Sequence, residues 1–168
     1  MSQPMTKLIS RQPGKERQLA PASEPVFTAI LSEDINWKVF AAFPPSARLA
    51  VVVGQPSEPG LYTIRVKVPH GAKLMPHRHP EHRIYTVISG VFYIGLGDEF
   101  DGDKLEAYPP GAVIVLPGNT SHFHWAKSGE YITQVSAIGP LGMEYVNPTD
   151  DPRSLRQIGK AVGKDSPS

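Results

Sequence analysis

The chain has 168 residues, 17 basic against 16 acidic side chains for a net charge of +1, and no cysteine. Disulfides, thiolate metal sites, iron–sulfur clusters and a cysteine nucleophile are excluded, and the balanced charge argues against a nucleic-acid-binding surface. With 15 glycines and 18 prolines, turns and short strands are favoured over a helical bundle.

Residues 1–25 read as a flexible tail, with Lys7, Arg11, Lys15 and Arg17 against Glu16 alone. No apolar run has the length of a signal peptide or of a transmembrane helix, so the expectation is a soluble cytoplasmic protein that does not engage a membrane. Residues 26–146 read as one β domain. WKVFAAF and ARLAVVV, separated by Pro44-Pro45, are the first candidate strands. Tyr62, Ile64, Val66 and Val68 then alternate with Thr63, Arg65 and Lys67, the period of a half-buried strand. RIYTVIS, VFYIGLG, AVIVLP and YITQVSAI follow, rich in β-branched and aromatic residues. Gly90, the acidic turn DEFDGDK, Pro109-Pro110-Gly111 and Pro117-Gly118-Asn119 punctuate them. This pattern is all-β, an antiparallel barrel or a cavity-free sandwich with little helix. Residues 147–168 read as a turn and a loose end, with a short helix possible over Arg153–Val162.

The chemistry concentrates in one region. All six histidines fall between residues 70 and 124. His77 and His79 form one pair, His122 and His124 another. Side chains two apart on a strand share a face, so each pair can point into the same interior. Imidazole is the commonest biological metal ligand and suits divalent Fe, Mn, Ni, Cu and Zn. Isolated histidines would be ordinary surface or core residues; two pairs inside apolar stretches point to a metal.

Gly71 to Gly90 resembles the first motif of the cupin superfamily: a glycine, five residues, then His77-Arg78-His79, with a closing glycine at Gly90. Gly111, Pro117 and His122 match the second motif in register, with Asn119 at its glycine and Ala126 at its asparagine. Asn tolerates a left-handed backbone, so the turn survives. The resemblance implies a jelly-roll, or double-stranded β-helix, barrel that holds one divalent metal per chain, iron slightly favoured. It implies His77, His79 and His122 as ligands, together with a glutamate at a position that here is Arg83. A guanidinium cannot bind a cation. Glu81, His82 or His124 could supply a fourth ligand, the site could run on three histidines, or it could have lost its metal.

Three neutral imidazoles leave the full charge on a divalent ion, which favours an anionic, bidentate small-molecule substrate. Arg83, pointing inward, would add a fork for a carboxylate. The resemblance also brings precedents, since cysteine dioxygenase and β-diketone-cleaving dioxygenases are cupins with three-histidine iron. The expected activity is therefore a metal-dependent oxidoreductase of the dioxygenase type, with Arg83, Tyr85 and His124 as candidate catalytic groups and Tyr93 as a further candidate base. The alternatives are a metal-dependent isomerase or lyase, and a non-catalytic sensor or binding module. Phe123 and Trp125 should face away from the histidines, into a subunit interface or between sheets. Exposed sheet edges and family habit imply a homodimer.

Overall fold

A computed structural model of the chain describes residues 28–154. The tail expected over 1–25, and all but the first two residues of the possible C-terminal helix, lie outside them. Ten strands follow a short 3-10 turn at Ser32–Asp34: β1 (Arg48–Val53), β2 (Gly60–Val68), β3 (Lys73–Arg78), β4 (Arg83–Ser89), β5 (Phe92–Leu96), β6 (Glu106–Tyr108), β7 (Val113–Leu116), β8 (His122–Trp125), β9 (Tyr131–Gly139) and β10 (Glu144–Tyr145). They make two five-stranded antiparallel sheets, β1-β2-β9-β4-β7 and β10-β3-β8-β5-β6, stacked face to face. This is the all-β architecture that the spacing of turns predicts and the jelly-roll barrel that the cupin resemblance implies.

The alternation of β2 sets the first sheet. Tyr62, Ile64, Val66 and Val68 are buried, while Thr63, Arg65 and Lys67 face out. β9 pairs with β2 along its whole length, so Tyr131, Thr133, Val135 and Ala137 join the same inner face. Arg83, Tyr85 and Val87 of β4 continue it. Each fully buried Ile or Val contributes about 1.5–3 kcal/mol.

The segment WKVFAAF is not a strand. Only Lys38 bridges to Leu49. The chain then turns, Phe43 N–H donating to the Phe40 carbonyl at 3.0 Å, and Phe43 joins the core with Phe40 edge-on at 4.9 Å. An apolar run ending at Pro44-Pro45 packs here as a turn against the core. β6 and β10, three and two residues long, are too short to carry an alternation.

β3 contains the decisive irregularity. Leu74 pairs with His124 and His77 with His122, so three steps on β3 face two on β8. This is a β-bulge, and it falls where Pro76 has no N–H for a ladder. Without it, Leu74 and Pro76 would share a face. With it, the inward face passes from Leu74 to His77.

Candidate metal centre

Two strand ends and one loop assemble the site. His77 is the last residue but one of β3, His79 follows in the next loop, and His122 opens β8. All three are buried, at 1%, 3% and 0% exposure. Ring centroids lie 5.0 Å apart for His77 and His79, 4.3 Å for His77 and His122, and 5.4 Å for His79 and His122. One ligand-capable atom from each lies within 4.8 Å of the others.

The tautomers are set by the backbone. His77 Nδ1 lies 2.7 Å from the Met75 carbonyl, His79 Nδ1 2.5 Å from that of Gly142, and His122 Nδ1 2.9 Å from that of Thr120. A carbonyl only accepts, so each Nδ1 carries the hydrogen and each Nε2 keeps a free lone pair. Nε2 of His77 and Nε2 of His122 are buried without a hydrogen-bond partner. Burial holds all three rings neutral, lowering His122 to about 4 and His77 and His79 well below the ordinary imidazole value. Positive charge on Arg83 pushes in the same direction. Carbonyl-anchored, neutral imidazoles aiming unpaired nitrogens at one point are what a divalent cation requires. The residues fit a metal.

Beside them lies a second polar cluster. Arg83 is 3% exposed, and its guanidinium reaches inward. Its Nη2 and Nε donate to Glu81 Oε1 at 2.6 and 2.9 Å, and the Tyr62 hydroxyl donates to the same oxygen at 2.8 Å. Gly142 N–H donates to Glu81 Oε2 at 3.2 Å. The carbonyl of the same residue, Gly142, accepts from His79, so Glu81 and His79 hold the two sides of one glycine. The fork expected to meet a substrate carboxylate is occupied by a carboxylate of the chain itself.

No protein-family model and no curated protein matches the sequence. Solved structures do match. The polyketide cyclase RemF from Streptomyces resistomycificus superposes with a TM-score of 0.63 at 16% identity, over 82% of this chain and 97% of that one. A cupin-superfamily sugar phosphate isomerase from Silicibacter pomeroyi gives 0.54 at 12% identity, over 70% and 81%. Salicylate 1,2-dioxygenase from Pseudoaminobacter salicylatoxidans gives 0.51 at 13% identity, over 62% and 30%. The fold is that of a cupin.

The cupin motifs now take on geometry. Asn119 adopts φ 60°, the left-handed conformation expected where the second cupin motif has glycine. Gly118 beside it packs so tightly that an added Cβ would stand 2.3 Å from the Pro80 carbonyl oxygen. That contact, with Asn119 N–H donating to the His79 carbonyl at 2.6 Å, ties the second motif's loop to the first's. Among the fourth-ligand candidates, Glu81 is held by Arg83, Tyr62 and Gly142. His82 is exposed, its Nδ1 taking the Gly118 N–H at 3.3 Å. His124 shares the inward face one step deeper, its ring 5.3 Å from His77 and 5.0 Å from His122, outside the three-residue cluster.

Tyr85 lies on the inner face, its hydroxyl buried and unpartnered. Burial raises its pKa and the charge of Arg83 partly offsets the rise. Tyr93 faces the other way, opposite Trp125 on the outside of its sheet. Phe123 and Trp125 do turn away from the histidines, but their cover comes from within the chain. Phe100, in the acidic turn, packs on Phe123 at 5.0 Å and on Trp125 at 6.3 Å.

Two interior residues escape a reading of motifs. Tyr131 and Thr133 line the small cavity beside His77, His79, Arg83, Tyr85 and His124. The Tyr131 hydroxyl is buried and unpartnered too. Their signal was the strict alternation of β9; what the sequence lacked was the identity of the strand's inward side.

Proposed function

We propose that this cupin is a metal-dependent oxygenase of a small organic substrate that binds as an oxygen anion. The ligands are Nε2 of His77, His79 and His122. The observation that carries the reading is the anchoring of all three Nδ1 atoms on backbone carbonyls, which leaves each Nε2 lone pair free, those of His77 and His122 buried without a partner. When bound, a divalent ion supplies a Lewis acid undimmed by any carboxylate and, as iron, a redox route to dioxygen.

The chain's other groups support binding rather than proton abstraction. Burial keeps Tyr85 and Tyr131 protonated, so their hydroxyls are donors to substrate oxygens. Burial also keeps His124 a weak base. Glu81 is committed to Arg83, Tyr62 and Gly142. With no strong base free among the described interior residues, the substrate enters as an enolate or hydroxy-ketone anion drawn by the cation. Tyr85 and His124 touch it. Arg83 acts as a positioning residue, through Glu81 and Gly142.

The deciding experiment is the metal content of untagged protein by inductively coupled plasma mass spectrometry, followed by oxygen uptake with a β-diketone, a hydroxy-ketone and a thiol. Near-stoichiometric iron with substrate-dependent uptake is expected. Zinc or nickel without uptake on iron reloading would replace oxygenation by Lewis-acid isomerase or lyase chemistry. Protein that refuses every added metal would overturn the reading and leave a small-molecule binding module.

A further inference from the structure

The barrel carries a second concavity outside the histidine cavity. A groove of about 450 Å3 opens between β5 and β7. Its walls are Ile94, Leu96, Ile114 and Leu116, with Pro117 and Thr120 at one end. Register places three of these residues beside the interior polar groups, and Leu96 beside a ligand. Leu96 stands opposite His122, Ile94 opposite His124, and Leu116 opposite Arg83. Thr120 supplies the carbonyl that anchors His122.

Leu96 is the telling residue. It shares the inward side with His122, yet it is 59% exposed. An inward leucine left open forms the wall of a mouth and not of a core. The charges at the rim are already partnered: Lys104 with Asp101 at 3.6 Å, and Glu106 with the Tyr108 hydroxyl at 2.6 Å. Nothing in the groove asks for a charged occupant. The cavity among the histidines, by contrast, leaves about 10 Å3 open to a water's centre, on the order of one water. The groove lies in the size range of small-molecule pockets, and the inner cavity lies far below it.

We infer that the substrate has two parts: a pair of chelating oxygens that reaches the metal past Leu96 and His122, and an apolar body that lies in the β5–β7 groove. The inference rests on the metal reading above and adds the substrate class to it. Leu96 and Ile114 then set specificity, because they are the groove's apolar wall.

Hydroxamates test it without knowledge of the natural substrate, since their head chelates a metal through two oxygens while the tail varies freely. Acetohydroxamate and 2-naphthohydroxamate are titrated into zinc-loaded protein by calorimetry, with Leu96→Asp and Leu96→Trp as variants. Wild type should bind the naphthyl compound tighter by about tenfold or more. Both variants should lose that gain, one by adding charge and the other by filling the groove, while each still holds zinc and still binds acetohydroxamate. Equal affinity for the two compounds, or a gain that survives both variants, overturns the groove and leaves the metal centre standing. Failure to hold zinc overturns the metal reading and this inference with it. Conversion of a wild-type dimer to a monomer by Leu96→Asp in sedimentation shows that a second copy of the chain covers the groove, and also overturns the inference.

Discussion

The barrel interior holds two polar clusters side by side, and they are built to opposite rules. In the Arg83–Glu81–Tyr62 cluster each carboxylate oxygen of Glu81 has a donor within 3.2 Å, and the charges cancel. In the histidine cluster Nδ1 of His77, His79 and His122 is fixed by a carbonyl, while Nε2 of His77, His122 and His124 is buried without a partner. A lone unsatisfied group costs about 1–3 kcal/mol. Chains bury such atoms where something from outside completes them. The first cluster closes on itself and serves the fold; the second is open and serves a ligand.

That contrast is broken most sharply by substitutions with opposite consequences. His122→Ala should abolish stoichiometric metal binding while leaving the metal-free fold intact, because the unsatisfied Nε2 it removes offsets part of the lost Thr120 bond and ring packing. His77→Ala should do the same. Metal analysis beside circular dichroism reads both outcomes, and full metal in both variants would move the site elsewhere. Arg83→Met should do the reverse. It leaves the Glu81 carboxylate buried without its cation, at a cost of about 3–5 kcal/mol, while the three ligand nitrogens remain. Urea denaturation measures the loss, and adding Glu81→Gln should recover much of it. A stable Arg83→Met protein that cannot hold metal would assign the ion pair to the centre.

Acid sharpens the same contrast. His122 in the folded chain titrates at about 4, against an ordinary value of 6.5. Between those values the unfolded chain takes up a proton that the folded chain refuses. Stability of metal-free protein is therefore complete above pH 6.5 and falls as the pH drops toward 4, by about 3 kcal/mol from His122 alone. His77, His79 and His124 are lowered further and extend the fall below that range. Metal affinity should hold steady through pH 6, since protons compete for the ligand nitrogens only near their lowered values. Affinity that declines from pH 7 downward would show ordinary, solvated imidazoles.

Much of this was legible in the sequence, for reasons that differ by element. β2 announced its inner face because its alternation is uninterrupted. The two histidine pairs announced a shared interior because side chains two apart point the same way. Asn119 announced its turn because few other residues tolerate that backbone. The bulge at Met75-Pro76 was not legible. It shifts the inward face of β3 by one residue, and only the register against β8 reveals the shift. The pairing of Glu81 with Arg83 was not legible either, since nothing in the linear order shows that a loop carboxylate turns inward onto the first residue of β4. The 37–43 segment has strand composition, but it reaches the edge of the sheet and turns inward at Phe43.

The smallest expected effect tests the contrast at its finest point. Tyr85 and Tyr131 have the same ring, similar burial and no partner for the hydroxyl, whereas the Tyr62 hydroxyl is 2.8 Å from Glu81. Replacing each by Phe removes only an oxygen. At Tyr62 a donor to a buried carboxylate disappears, and such charge-assisted bonds are worth about 1.5–3 kcal/mol. At Tyr85 and Tyr131 no bond is lost, and a buried group without a partner is relieved of its desolvation cost. Tyr85→Phe and Tyr131→Phe should therefore leave stability unchanged or slightly raised, within about 1 kcal/mol of wild type, while weakening a bound hydroxamate. A stability loss at Tyr85 as large as at Tyr62 would mean that its hydroxyl belongs to the closed cluster and not to the open one.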